Sequence, residues 1–251
     1  MTTNRPILWS RYIEVAESLT TPPPASKLDL TGAIAAAVNA SLAPVGVPIW
    51  AGEIGPHNGG SPPCDSSSER WAGFTDTFWY LDAMASKAAN GYSAFCRQDF
   101  VGIDYAMLDC ATNDPLPDYY SGVLWSKLMG TGVVRAASST AVRAYAHCHP
   151  TSQADLTVLL LNLEPDDGAA KPRKVAVGDA AAATEEYHLT GPSGTGAQIV
   201  ALNGVPLKAS LDGSLPAMVG KAGDAASVAL APASIAFVVV KGGGAAAGCA
   251  A

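Results

Sequence analysis

The spacing of apolar residues changes near residue 130. Before that point the pattern mixes helical spacing with short apolar runs. Leu28 to Leu42 reads as a helix: Asp29 or Thr31 stands ready to cap it, alanines fill it, and Pro44 ends it. Val45 to Ala51 is an apolar run that suits a buried parallel strand. Arg70 to Ala89 places Trp71, Phe74, Phe78, Leu81 and Met84 three and four apart, the stripe of a helix facing a core. Tyr92 to Gln98 reads as a second strand. Pro117 to Met129 reads as a further helix, with Pro in its first turn and Gly130 just past its end. Long loops, residues 52–68 and 99–114, follow the two strands. The order predicts two consecutive βα units.

After residue 130 the helical period is lost. Val133 to Ser138, Ala141 to Cys148, Asp155 to Leu163, Thr184 to Thr190, Ala197 to Leu202 and Ser234 to Val240 read as strands. Clusters of Gly, Pro and Asp separate them, a spacing that predicts a β-sandwich. The tail from Gly242 to Ala251 is low in complexity and is expected to be mobile, apart from Cys249. Residues 1–130 and 131–251 thus divide into a partial α/β unit and an all-β unit. Two βα units close no barrel, and each parallel strand expects neighbours on both sides. The first part is therefore expected to be the end of a larger α/β domain whose beginning is missing, with Met1 an internal start.

Composition narrows the function classes. Of 251 residues, 49% are hydrophobic, but 46 are alanine, so much of that content buries little area. Leu, Val and aromatic residues still suffice for a core, which excludes overall disorder. Net charge is −7, which argues against a nucleic-acid partner, since such binding needs a basic face. No run of about 18 apolar residues predicts a membrane span. The first residues lack the apolar segment of a signal peptide. The cysteines, Cys64, Cys96, Cys110, Cys148 and Cys249, form no C-x-x-C pair, and neither a metal site nor a cofactor is expected.

One stretch carries candidate chemistry. Glu53 stands at the end of the first apolar strand, and a Gly-rich loop, Gly55 to Gly60, follows. In (β/α) barrels the active site lies at that end of the strands. On spacing alone Glu53 also suits a solvated strand end, His57 a loop histidine in water, and Gly59 with Gly60 a plain turn. The two glycines can equally present backbone N–H groups to an anion. Asp76, Asp82, Asp99, Asp104 and Asp109 read as caps, solvated groups or arginine partners. Arg97 is a candidate to hold Glu53 ionised, although strand alternation points neighbours to opposite faces.

The stretch from Trp50 to Gly60 resembles the heparanase-like enzymes of glycoside hydrolase family 79, particularly the plant-type members. So, in the same order, do the segments at residues 78–82, 96–98, 102–105, 115–120, 128–131, 143–148, 186–190 and 202–204 and the end around Cys249. The resemblance implies a retaining β-glucuronidase on a (β/α) barrel with an appended β-sandwich. Glu53 falls at the nucleophile position. Gly59, Gly60 and Tyr105 fall on the donors to the sugar carboxylate, and Gln98 on a polar residue lining the same pocket. Asn58 stands where the animal enzyme has tyrosine. The retaining reaction needs a second carboxylic acid about 5 Å from the nucleophile. The family carries it in an Asn-Glu pair, which this chain lacks. The resemblance also implies a Cys148–Cys249 disulfide, which points to a secreted, lysosomal, vacuolar or membrane-associated protein. Cys96 is expected to be a buried free thiol. Cys64 and Cys110, in the two long loops, are a further possible pair.

Lys and Arg total 15 and are scattered, so an unsulphated or lightly charged glucuronide is expected in preference to a sulphated glycan. The cluster at residues 171–174 reads as a solvated turn. Three functional readings follow: a C-terminal portion of a β-glucuronidase that lacks its general acid/base; a non-catalytic glycan-binding or structural remnant; and a generic β-sandwich interaction domain. Only the first two account for Glu53 together with Gly59 and Gly60.

Overall fold

The computed structural model describes residues 37–38, 40–41, 46–56, 72–139, 141–166, 168, 170–179 and 182–249. Within the expected first helix, residues 37, 38, 40 and 41 are helical, and the rest lies outside the described residues. Strand β1 (Ile49–Ile54) pairs in parallel with β2 (Tyr92–Arg97). Helix α1 (Phe74–Ala89) precedes β2, and α2 (Pro117–Leu128) follows the second long loop. The expected βα order is therefore present.

Helix α1 forms because Phe74, Phe78, Leu81 and Ala85 make one fully buried stripe. No side chain caps its start. The Phe74 and Thr75 N–H groups instead donate to the Ala197 and Thr195 carbonyls, at 2.8 and 2.7 Å, which satisfies donors left open at a helix start. In α2, Pro117 opens the first turn, and Tyr120, Leu124 and Leu128 are buried.

Beyond residue 130 an antiparallel sheet of eight strands forms. It comprises β3 (Val133–Val134), β4 (Val142–His149), β5 (Ser152–Asn162), β7 (Ala183–Thr190), β8 (Ala201–Leu202), β9 (Val205–Pro206), β10 (Lys221–Asp224) and β12 (Ser234–Val240). Strand β12 lies at the centre, between β5 and β7, and is buried at every position. Its alternate residues serve two cores. Ile235, Phe237 and Val239 meet α1 and α2, whereas Ala236, Val238 and Val240 face the other way. That second face is covered by a two-stranded sheet of β6 (Arg173–Val175) and β11 (Val228–Leu230), through Val175, Val228 and Leu230. The sequence pattern did not anticipate β6, β9, β10 or β11, which are two to four residues long and too short to show alternation.

The helices are tied to the large sheet by polar contacts as well as by packing. Asp82 of α1 is 1% exposed and accepts from Arg143 Nε at 2.7 Å and from the Tyr145 hydroxyl at 2.6 Å. Thr157 donates to the Leu128 carbonyl at 2.6 Å. Gly130 N–H donates to the Cys148 carbonyl, and Cys148 N–H to the Gly132 carbonyl. A Cβ on Gly132 would stand 2.8 Å from Cys148 Sγ, so only glycine fits beside the sulfur.

Cys148 and Cys249 form a disulfide with Cα atoms 5.5 Å apart. Cys110 is disulfide-bonded too; Cys64 lies outside the described residues. Cys96 is free but exposed, which corrects the expected buried thiol: it sits on an outward-facing position of β2. The expectation for the tail is also corrected. Gly243–Ala246 forms a short helix, α3, and Gly244 packs against the Gln153 and Ala154 backbone, where a Cβ would clash. The disulfide then anchors the end of this segment.

Two outcomes follow. Replacing Cys148 and Cys249 by serine removes a link spanning 101 residues, and a urea melt is expected to show a loss of up to about 4.7 kcal/mol. The second outcome concerns His147, which is 3% exposed. Its Nδ1 lies 2.6 Å from the Gly130 carbonyl, so the neutral ring donates there. Nε2 is buried with no partner. Burial pushes its pKa below 6.5, partly offset by the Gly130 carbonyl. Burial moves His149 and His188 the same way. As pH falls below 6.5 the unfolded chain takes up protons that the native state refuses, so stability declines. Buried Asp76 and Asp82, whose pKa values are raised, act oppositely nearer their own range. His147→Asn keeps a donor for Gly130, and its stability is expected to decline less between about pH 7 and pH 5 than the wild type's. Chemical melts across that range make the comparison.

Candidate active site

Glu53 lies within β1, one residue before its end, and is exposed. The pairing of the strands continues past β2, because Gln98 N–H donates to the Ile54 carbonyl at 2.9 Å. Glu53 and Gln98 therefore stand at the C-terminal ends of adjacent parallel strands, the end at which barrel enzymes place their chemistry. Tyr105, from the second long loop, is 1% exposed. Its hydroxyl donates to Gln98 Oε1 at 2.9 Å. Gly55 lies against this pair: a Cβ there would stand 3.1 Å from the Tyr105 ring and 3.3 Å from Gln98 Oε1. Sequence reasoning did not single out Gly55 on its own, since close approach is visible only in three dimensions. Gly59 and Gly60, with His57 and Asn58, lie outside the described residues.

Arg97 turns away from Glu53, as alternation requires. Its Nη2 donates to Asp76 Oδ2 at 2.9 Å, to Asp118 Oδ2 at 3.0 Å and to the Tyr105 carbonyl at 2.9 Å. Thr77 donates to Asp118 Oδ1 at 2.8 Å. Burial holds the Asp76 carboxyl well above the usual range; the Asp118 charge adds to this and the Arg97 charge opposes it. Burial by itself would lower the Arg97 pKa, but the Asp118 and Asp76 charges override it and raise it. Tyr105 is shifted up by burial; Arg97 opposes the shift, while Asp99, Asp104 and Glu53 add to it. The charge of Glu53 is thus felt at Tyr105. Asp99 is also raised, chiefly by burial.

The aspartates take structural roles for the most part. Asp76 and Asp82 are arginine partners. Asp109 accepts from the Ala111 and Thr112 N–H groups within its loop. Among the described residues, no three His, Cys, Asp or Glu side chains gather as a metal set, and no helix is long and apolar enough to cross a membrane.

Comparison with solved structures first places the fold. A bifunctional glucanase-xylanase, CelM2, from a metagenome library matches 93% of this chain and 39% of its own, with a TM-score of 0.58 at 15% identity. A GH51 alpha-L-arabinofuranosidase from Thermotoga petrophila matches 85% of this chain and 48% of its own, with a TM-score of 0.52 at 14% identity. The fold is thus one found in glycoside hydrolases with barrel-type folds. No family model matches the chain.

Curated relatives are more specific. Heparanase-like protein 1 of Arabidopsis thaliana is 32% identical over 203 residues, spanning 67% of this chain and 36% of that protein. Baicalin-beta-D-glucuronidase of Scutellaria baicalensis is 36% identical over 152 residues, spanning 58% and 28%. Mouse heparanase is 33% identical over 209 residues, spanning 78% and 37%. Over the part that it spans, the chain belongs to the heparanase-like family, glycoside hydrolase family 79. It spans 28–37% of the length of these relatives.

The close fit at Gly55 generates a test. Gly55→Ala pushes the Tyr105 ring and Gln98 apart, and is expected to cost about 1–3 kcal/mol. A thermal melt reads the cost, and a crystal structure of the variant should show the Tyr105–Gln98 hydrogen bond lengthened or broken.

Proposed function

We propose that this chain is the nucleophile-bearing, C-terminal portion of a retaining β-glucuronidase that acts on glucuronides. The observation that carries the reading is the placement of Glu53 and Gln98 at the ends of adjacent parallel strands, with the Tyr105 hydroxyl joined to Gln98. In this reading Glu53 attacks the anomeric carbon and forms a glycosyl ester while the bond to the leaving oxygen breaks. A second carboxylic acid gives that oxygen its proton, then takes one from the water that cleaves the ester. On binding, the Tyr105 hydroxyl turns its one proton from Gln98 Oε1 to the uronate carboxylate, which the Gly59 and Gly60 N–H groups also receive; charge-assisted donors of this kind are the strong ones. Gln98 lines the same pocket.

No Asn-Glu pair occurs in this chain, so the acid/base is assigned to an N-terminal half of the barrel. The short span of the relatives supports this. So do the apolar side chains left exposed beside β1, Val47 at 50% and Trp50 at 64%. The C-terminal domain is read as a sandwich of the large sheet and the β6–β11 pair. Arg173 of the basic cluster pairs with Glu164 on the surface, which supports an unsulphated or lightly charged substrate. The Cys148–Cys249 disulfide supports a secreted or vacuolar location.

The chain alone is expected to hydrolyse an aryl β-glucuronide at a rate about 100- to 10,000-fold below that of a polypeptide carrying the acid/base. In the complete polypeptide, a mechanism-based fluoroglucuronide should label Glu53, as read by peptide mass, and Glu53→Gln should abolish turnover. Binding of glucuronide without labelling or turnover would favour the non-catalytic remnant.

A further inference from the structure

We infer that Arg97 is a positioning residue: pinned by Asp76 and Asp118, it fixes the place of the Tyr105 hydroxyl. The consequence for sugar recognition rests on the reading of Tyr105 given above. The geometry holds Tyr105 at three points. Arg97 Nη2 bonds its carbonyl at 2.9 Å. The Arg97 guanidinium carbon lies 5.5 Å from its ring centroid, within cation–π range. Gln98, the next residue, accepts from its hydroxyl at 2.9 Å. One dipeptide at the end of β2 thus grips the tyrosine at both ends, which registers the hydroxyl to the strand.

The guanidinium is itself enclosed. Its side chain is 4% exposed, and its carboxylate partners are 1% and 5% exposed. The rings of Trp79 and Tyr80 stand 5.3 and 5.5 Å away. Asp76 and Asp118 come from the first turns of α1 and α2, so the hydroxyl is referenced to both helices as well. A lysine supplies charge but not the flat surface that faces the Trp79, Tyr80 and Tyr105 rings.

The test uses the chain itself with ring-13C-labelled tyrosine. The Tyr105 signal is assigned by its loss in Tyr105→Phe. Sodium D-glucuronate is titrated, with D-glucose as the neutral control. Arg97→Lys is expected to move the Tyr105 signal while those of Tyr145 and Tyr187 stay in place, and to weaken glucuronate about tenfold or more with glucose unchanged. Asp118→Asn, a milder change at the same contact, is expected to do the same to a smaller degree, and it decides the matter if Arg97→Lys does not fold. An unmoved Tyr105 signal overturns the inference, as does an equal disturbance of Tyr105, Tyr145 and Tyr187 in the folded variant. The same titration in the complete polypeptide decides the uronate reading, which fails if glucuronate leaves wild-type Tyr105 untouched there; the ring signals of this chain decide the role of Arg97.

Discussion

Burying the Arg97 charge constrains α1, α2 and the loop that carries Tyr105. A guanidinium stays protonated in any protein environment, so its burial demands acceptors. Nε and Nη1 are buried without one among the described residues, whereas Asp76, Asp118 and the Tyr105 carbonyl supply them at Nη2. Each comes from a different segment, and each is thereby fixed. Two carboxylates against one cation leave an excess of negative charge, which is why burial and the Asp118 charge keep Asp76 well above the usual carboxylate range. Removing either acid would strand part of the guanidinium, a costlier event than losing a surface pair.

The same helices that carry Asp76 and Asp118 cover one face of the antiparallel sheet. Phe74, Phe78, Leu124 and Leu128 share a single core with Leu159, Tyr187, Ile235 and Phe237. The parts before and after residue 130 therefore do not have separate interiors. The Asp82–Arg143–Tyr145 contact and the Ala197 and Thr195 carbonyls at the start of α1 cross the same junction. The C-terminal part of the chain thus helps to set where α1 begins.

The strand ends that bear Glu53 and Gln98 are less enclosed. Strand β1 pairs with β2 among the described residues, and its Trp50 is largely exposed. A parallel strand normally has both faces covered. The barrel half proposed above is the element that would cover it.

The sequence by itself determined the order of elements, because long stripes and alternations record which face is buried. The α1 stripe, the β12 run and the start of α2 at Pro117 were all legible. Collinear motifs also carried the family, the candidate Glu53, Gln98 and Tyr105, and the Cys148–Cys249 pair. What depended on contacts between distant residues was not legible. The short strands β6 and β9 to β11 exist because partners pair with them. The Gly-rich tail is ordered because Gly244 fits against β5 and Cys249 is tied to Cys148. The choice of Asp76 and Asp118 over Glu53 as partners of Arg97 was decided by tertiary structure alone. Alternation says which way a side chain leaves its strand, but only the packing of α1 and α2 determines which acids wait there.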